Sequence, residues 1–576
     1  MTRTVRPALA TALVLVLGAV LSLSTRAPSA QPQPAAAGFV NIAPRAGIDF
    51  RHVNGASAAR HLPEIMSGGG LFFDYDGDGW QDVFLVDGGS LVDPATAGRA
   101  RHRLFRNRGN GTFEDATPRS GIAHAQYGMG ACAADYDNDG FVDLYITNVG
   151  PNTLYHNNAG KSFADVTRAA GVGSSSFGAS CAFADVDRDG FVDLFVTNYV
   201  DARLDNNVFC GDAGAKLRVY CHPLNFQPLA SVLYHNNGNG TFTDVSQKSG
   251  IGSHRGNGLG VVAGDYDDDG WPDIFVANDT TPNFLYHNEG NGVFKETALT
   301  AGVSVAADGR PRAGMGTDFG DYDNDGRLDL FVTNHELETH TLFRNLGRGL
   351  FAETTTESGV GVETLPYVGF GAQFFDYDND GDLDLGVVNG HVMNDSGHFR
   401  PGSKEAQRKL LFRNDGGGRG FFTFKEVGRT SGPGFAPEAV GRTLVAGDVD
   451  NDGALDLLVT NNGGPAELLR NGGAPGTNAV LLALVGTKSN RGAIGARVRL
   501  TAGSSAQVRE IKAGSSYLGE GDLRVHFGLG RTPQISRVEI RWPSGATETI
   551  QNVPANAIVT ITEGKGVTAR SPFAHY

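Results

Sequence analysis

The stretch DYDNDGFVDLYITN, from Asp135 to Asn148, decides the fold. Its first nine residues place Asp at positions 1, 3, 5 and 9 and Gly at position 6; an apolar, strand-like run follows. The nine-residue pattern recurs as DYDGDGWQD (Asp74 to Asp82), DVDRDGFVD (Asp185 to Asp193) and DYDDDGWPD (Asp265 to Asp273). It returns as DYDNDGRLD (Asp321 to Asp329), DYDNDGDLD (Asp376 to Asp384) and DVDNDGALD (Asp448 to Asp456). Seven copies starting 50 to 80 residues apart have the period of propeller blades or solenoid repeats.

Two further elements keep step with the acidic loop. A short strand follows each copy: LFRN at Leu104, Leu342 and Leu411, LYHN at Leu154, Leu233 and Leu285, and LLRN at Leu468. In most copies a Gly/Asn turn leads to a second strand such as GTFEDAT or GTFTDVS, which makes a β-hairpin. A strand of small residues, such as GMGACAADYD or GNGLGVVAGDYD, precedes the loop, as crowding near a ring axis requires. The run after the loop is apolar on both sides, as suits a strand buried between neighbouring sheets. GFVNIAPRAGI, from Gly38 to Ile48, has no LFRN strand before it, and the last LLRN strand has no such partner after it. The counts balance only if the N-terminal strand completes the last repeat. That closes a ring and removes exposed sheet edges. The fold expected is all-β: a seven-bladed β-propeller over residues 38–475, a small all-β domain over 480–563 and a C-terminal tail over 564–576.

The loops read as sites for a hard cation. Carboxylates about 5 Å apart repel by about 1–3 kcal/mol per pair at an intermediate dielectric, so each loop calls for a counter-charge. Oxygen-only ligation in an irregular loop suits calcium better than magnesium, which demands tighter octahedral geometry. Histidine and thiolate are absent from the loops, which argues against zinc and copper. The assigned side-chain ligands are Asp74, Asp76, Asp78 and Asp82; Asp135, Asp137, Asp139 and Asp143; Asp185, Asp187, Asp189 and Asp193; and Asp265, Asp267, Asp269 and Asp273. The remaining sets are Asp321, Asp323, Asp325 and Asp329; Asp376, Asp378, Asp380 and Asp384; and Asp448, Asp450, Asp452 and Asp456. A backbone carbonyl at position 7, such as that of Trp80, adds one ligand. Asx turns without metal are the alternative reading. An EF-hand is excluded, because it needs Glu at position 12, where this chain has Leu85, Ile146, Val196, Val276, Val332, Val387 and Val459. Seven filled sites would bring fourteen positive charges and move the formal net charge from -15 to about -1. The acidity therefore belongs to the loops, and one structural calcium per blade is expected.

The segment before residue 38 reads as a signal peptide, with Arg3 and Arg6 ahead of an apolar run from Ala8 to Leu23. It is placed at 1–30, with cleavage between Ser24 and Ala37, so a secreted or periplasmic location is expected. In such a compartment Cys210 and Cys221, close together in one insertion, are expected to pair; Cys132 and Cys181 could be two buried thiols or a bridge. The acidic balance speaks against nucleic acid, and no second run is long enough to span a membrane.

The repeats resemble FG-GAP (VCBS-type) repeats, the blades of integrin α-chain propellers. SNRGAIGARVRL from Ser489, LRVHFGLG from Leu523 and VEIRWPSG from Val538 resemble the ASPIC/UnbV domain. Together they are similar to the cartilage acidic protein family and its bacterial members. The resemblance implies an extracellular calcium-binding protein, associated in some members with adhesion. Other relatives are encoded beside enediyne biosynthesis enzymes. The leading expectation is a monomeric binding, adhesion or scaffold protein with an extracellular protein or glycan ligand. The alternative is an enzyme or accessory biosynthetic protein that uses the top-face loops or the central channel. No nucleophile or acid–base pair stands out in the sequence. HELETH, from His335 to His340, has one residue too many for a zinc-protease helix. His335, Glu336 and His391 could still share a ligand or metal site. The insertions Tyr199 to Ser231 and His391 to Lys409 follow equivalent strands and should rise from one face, where a partner site is best sought.

Overall fold

The computed structural model describes residues 38–97, 100–123, 126–393, 396–416 and 424–574. The segment read as a signal peptide lies outside them. The chain is all-β with a few short helices.

The second repeat shows the plan. Tyr127–Ala134, Asp143–Val149, Thr153–Asn157 and Phe163–Asp165 form one antiparallel sheet, in that order. The acidic loop joins its first two strands, and the LYHN segment is its third. Seven sheets follow this order among the described residues. In the last, Gly441–Gly447, Asp456–Asn461 and Glu467–Asn471 are joined by Phe39–Asn41, with Phe39 opposite Asn471. The N-terminal strand thus completes the C-terminal repeat, as the count of elements requires.

Each sheet packs on the next through apolar side chains. Phe73 and Leu104 of the first sheet meet Ala133 and Leu144 of the second. Phe72 and Val83 of the first also share a core with Val445 and Leu458 of the seventh, so the sheets form a closed ring.

The C-terminal part adds two four-stranded sheets. One orders Val525–Gly530, Asn478–Val485, Ala557–Thr562 and Gly566–Pro572; the other orders Ser505–Glu510, Arg497–Ala502, Gln534–Arg541 and Thr547–Pro554. Val480, Leu500, Ile540, Trp542 and Val559 fill the space between them. The expected tail is largely a strand, Gly566–Pro572, whose successor Phe573 is buried against Gly453 of the seventh acidic loop. The strand's residues after Gly566 are all exposed, so no buried apolar alternation announced it.

This domain sends a segment down the ring axis. Gly519 and Glu520 pair in parallel with Gly70 and Leu71 of the first sheet. The Leu518 carbonyl lies 2.5 Å from where a Cβ on Gly69 would sit, and its Cα 2.9 Å from one on Gly130. The Leu518 N–H donates to Ser180 Oγ at 3.0 Å in the third sheet. The Ser516 carbonyl lies 3.0 Å from where a Cβ on Gly260 would sit in the fourth, and Ser516 exchanges backbone hydrogen bonds with Thr317 in the fifth. Tyr517 stacks edge-on to Phe370 of the sixth at 4.9 Å, and its carbonyl accepts from Thr443 Oγ1 of the seventh at 2.8 Å. Only a segment on the axis can touch the innermost strands of all seven sheets. The central channel, one of the two places considered for an enzyme site, is therefore filled.

Both disulfides form. Cys132–Cys181 joins the innermost strands of the second and third sheets, with Cα atoms 5.8 Å apart. Cys210–Cys221 closes the first insertion around the hairpin Cys210–Asp212 and Leu217–Val219.

Candidate metal centres

Local backbone geometry fixes the loop before any ligand is considered. Position 4 is left-handed in every copy: Gly77, Asn138, Arg188, Asp268, Asn324, Asn379 and Asn451 have φ between 54° and 72°. Asn, Asp and Gly tolerate that region best, which explains their excess there. The invariant Gly at position 6 is also left-handed, as at Gly140 with φ 99°. These two turns fold the carboxylates inward. Asp135 accepts the Asp139 and Gly140 N–H groups at 3.0 and 2.8 Å, and Asp139 accepts Phe141 N–H at 2.9 Å. Asp143 accepts Tyr136 N–H and Asn157 N–H at 3.1 and 2.7 Å.

The Asn that closes each LFRN, LYHN or LLRN segment clasps two loops. Asn157 Nδ2 donates to the Val142 carbonyl of its own loop at 2.9 Å and to the Tyr75 carbonyl of the preceding loop at 2.8 Å. Asn107, Asn236, Asn288, Asn345, Asn414 and Asn471 do the same in their copies.

The structure brings carboxylates of the loops close together. Ligand atoms of Asp74, Asp76 and Asp82 lie within 4.8 Å of one another, as do those of Asp135, Asp137 and Asp143. The position-9 carboxylates are fully buried; burial, augmented by neighbouring carboxylates, pushes Asp82 and Asp143 up to about 9. Desolvation likewise lifts Asp135 to about 7 and Asp448 to about 8. At position 3, one oxygen of each of Asp76, Asp187, Asp267, Asp378 and Asp450 is buried without a hydrogen-bond partner. A buried carboxylate oxygen without a donor is costly. Five such oxygens at the same place in a repeated loop fit a cation with oxygen preference.

Sequence reasoning missed the residue that each third strand aims at its loop. Arg106 pairs with Asp76 and Asp78, Arg344 with Asp323, and Arg470 with Asp450 and Asp452. Arg413 bonds instead to Asp415, and Asp378 attracts it electrostatically. In the second to fourth copies an imidazole takes that place: His156 lies 3.3 Å from Asp137, His235 3.1 Å from Asp193 and His287 3.1 Å from Asp273. Hydrogen bonds to Asp193 and Asp273 push His235 and His287 up to about 8 and about 9. The absence of histidine from the loop sequence thus did not keep it out of the sites. The alternation of R-N and H-N after the aromatic residue was the available signal.

His335, Glu336 and His391 also meet. The two rings stand 5.5 Å apart, and His391 Nε2 lies 3.4 Å from Glu336 Oε1. His391 Nδ1 accepts Met393 N–H at 2.9 Å, so the ring hydrogen sits on Nε2 and faces the carboxylate. Arg400 and Ser403 hold the same Glu336, both at 3.1 Å. Ion-pair contacts from His391 and Arg400 and one hydrogen bond from Ser403 thus surround Glu336, and HELETH is not helical. His398 of the second insertion lies 3.8 Å from Asp212 of the first, so both insertions do share a face.

Residues 74–146, 135–196, 225–276, 265–332 and 321–387 match the FG-GAP-like repeat family, and residues 486–568 match the ASPIC and UnbV family. The chain is an FG-GAP-repeat protein with a C-terminal ASPIC/UnbV domain. It is 31% identical to human (Homo sapiens) cartilage acidic protein 1 over 315 residues, which cover 52% of this chain and 43% of that protein. The mouse (Mus musculus) protein of the same name is 29% identical over 333 residues, 55% of this chain and 47% of the relative. The aligned region spans less than half the length of either relative. Among solved structures, YCF48 bound to a D1 peptide has a TM-score of 0.39 at 8% identity, covering 71% of this chain and 93% of that one. An Agrocybe aegerita lectin that recognises non-reducing terminal N-acetylglucosamine has a TM-score of 0.37 at 16% identity, covering 64% and 83%. Among the described residues no helix is long and apolar enough to cross a membrane.

Proposed function

We infer that this FG-GAP-repeat protein is an exported calcium-binding propeller that works as a binding, adhesion or scaffold protein, with an extracellular protein or glycan as its ligand. The observation that carries the calcium assignment is the set of position-3 carboxylate oxygens, buried and unpartnered at one repeated place. Positions 1, 3, 5 and 9 of each loop would hold the ion. It would supply the charge that the buried carboxylates lack and tie the first two strands of each sheet together. Its role is structural, since seven like sites do not make one reaction centre. At ten times its dissociation constant each ion adds about 1.4 kcal/mol of stability, so seven add about 10 kcal/mol.

The test is elemental analysis of the purified full chain together with its melting curve. About one calcium per loop and a melting temperature that drops sharply in EDTA are expected. Calcium-free protein whose melting ignores EDTA would refute the assignment. Export is tested by fractionation, which should find the chain outside the cytoplasm and shortened at its N-terminus. An enzyme or accessory biosynthetic role is the second reading; with the axis filled, it rests on the face that carries the two insertions.

A further inference from the structure

The seven acidic loops are linked in a circle, and one link is missing. The position-4 side chain of one loop reaches the next loop. Asn138 Nδ2 donates to the Gly190 carbonyl at 3.0 Å, Asn379 to Gly453 at 3.1 Å and Asn451 to Gly79 at 3.1 Å. Asn324 reaches Asp382 at 2.7 Å, and the Arg188 guanidinium lies 3.9 Å over the Trp271 ring. Asp268 cannot donate to a carbonyl; there Arg497 of the C-terminal domain bonds the Gly326 carbonyl at 2.7 Å. Between the first and second loops the residue is Gly77. A Cβ added there would find only the Phe141 ring, at 3.7 Å.

At this gap a cavity of about 590 Å³ separates the two loops from the C-terminal domain, within the range of small-molecule sites. A second departure faces it. Position 8 is apolar in six loops, as Val142, Val192, Pro272, Leu328, Leu383 and Leu455, but is Gln81 in the first. Gln81 lines the cavity, is 5% exposed, and its Oε1 has no hydrogen-bond partner. An amide oxygen buried without a donor is costly, and among the described residues Gln81 is the one such residue that lines this cavity. Both changes that set the first loop apart, at Gly77 and Gln81, therefore serve the same space.

We propose that this cleft binds a neutral, hydroxyl-rich small molecule of up to disaccharide size. The ring wall offers Gln81, whose Oε1 is the unpartnered acceptor, beside Asp74 and Asp135 of the cation-ligand set. The facing wall carries Arg491 and the Arg524–Asp522 pair, beside Leu484, Ile494 and Leu523. Arg524 is paired with Asp522 of its own wall, and a calcium ion would offset the loop carboxylates, so the cleft does not call for an ionic ligand. A sugar meets both walls without net charge, its hydroxyls on the polar groups and its C–H face on the apolar ones. Gln81 is not in the cation-ligand set, whereas Asp74 and Asp135 are, so the experiment is run on protein saturated with calcium and turns on Gln81.

Saturation-transfer NMR on the full chain with maltose, cellobiose and lactose tests it, with butylammonium and butyrate as charged controls. Transfer to at least one disaccharide is expected. Gln81→Leu, which installs the residue class of the other loops, should weaken it about tenfold or more, as loss of a buried hydrogen bond implies. Gly77→Asn, which keeps the left-handed backbone and can restore the missing link, should do the same by narrowing the cleft. Both variants should melt like the parent. Absence of transfer from all three sugars, transfer that neither variant changes, or preference for a charged control would overturn the proposal.

Discussion

The joints between ring sheets and the joint between ring and C-terminal domain are built from different materials. Neighbouring sheets meet through apolar pairs, such as Phe73 with Leu144, that work at any charge state of the loops. The loop face meets the C-terminal domain through polar groups. Arg541 pairs with Asp265 and, at 3.1 Å, with Asp268; Arg524 bonds the Asp448 carbonyl at 2.7 Å and Asn451 at 2.6 Å. Lys512 reaches the buried Asp318, and Arg509, half-buried, sits in the field of Asp321 and Asp376. The ring can thus assemble by burial alone, whereas its loop face needs counter-charge. The chain supplies that charge from two sides: third-strand Arg and His from below, and the C-terminal domain from above.

The axial segment is where that contrast breaks, because it belongs to the polar-docked domain yet is buried as deeply as the ring core. Tyr517 and Leu518 are fully buried, and Tyr517 donates to the Met66 carbonyl at 2.7 Å. Tyr517→Ala should cost about 4 kcal/mol, the range for removing a large buried ring. Thermal melting with ring and C-terminal domain losing structure in one transition is the expected result. Two transitions, with the ring unaffected, would show that the axis is only filled and not braced.

The disulfides sharpen the comparison between sheets and insertion. Cys132–Cys181 spans 49 residues and staples two sheets; Cys210–Cys221 spans 11 and staples a loop. Chain-entropy arguments give about 4 kcal/mol for the first and about 3 kcal/mol for the second. Replacing each pair by serine and measuring denaturant midpoints should reproduce that order. The Cys132/Cys181 variant should also cost more than entropy alone, since serine leaves hydroxyls in an apolar core.

Ring and C-terminal domain were not equally legible in the sequence. The acidic loop could be read because one short pattern, DxDxDGxxD, carries the turn geometry, the ligand type and the period at once. That the N-terminal strand completes the last repeat followed from counting; the register, Phe39 opposite Asn471, did not. What escaped were contacts between elements far apart in the chain. Nothing local in KAGSSYLGE, Lys512 to Glu520, says that it will occupy the axis; its two glycines and small residues look like a surface turn. They serve instead to pass through a crowded centre, with a Cβ on Gly519 landing 2.4 Å from the Gly70 carbonyl. The clasping Asn of each third strand was visible as a repeated letter, but its two partners lie on different sheets. Asn288→Ala removes two such bonds, to Pro272 and Val186, and leaves buried carbonyls without a donor. A loss of about 2 kcal/mol is expected from denaturant melts. An effect below a few tenths would mean that water replaces the amide and that the clasp sets register only.

The smallest expected effect concerns the C-terminal domain alone, where no metal is invoked. Glu563 is 4% exposed, and its carboxylate accepts the N–H groups of Thr487, Lys488 and Ser489 at 2.8 to 2.9 Å and the Ser544 hydroxyl at 2.6 Å. Burial alone would raise its pKa, but these donors outweigh it and hold the carboxyl down at about 2. The folded state therefore binds the proton less readily than the unfolded chain, whose glutamate titrates near 4.3. The stability it contributes is complete above that value and is lost as pH falls toward 2. Glu563→Gln keeps one acceptor and loses the charge, so it should cost about 1 kcal/mol at neutral pH. The gap between parent and variant should close between pH 5 and 2 in melting experiments. A gap that stays constant over that range would place the contribution in packing of the side chain and not in the charge that gathers the Thr487–Ser489 turn.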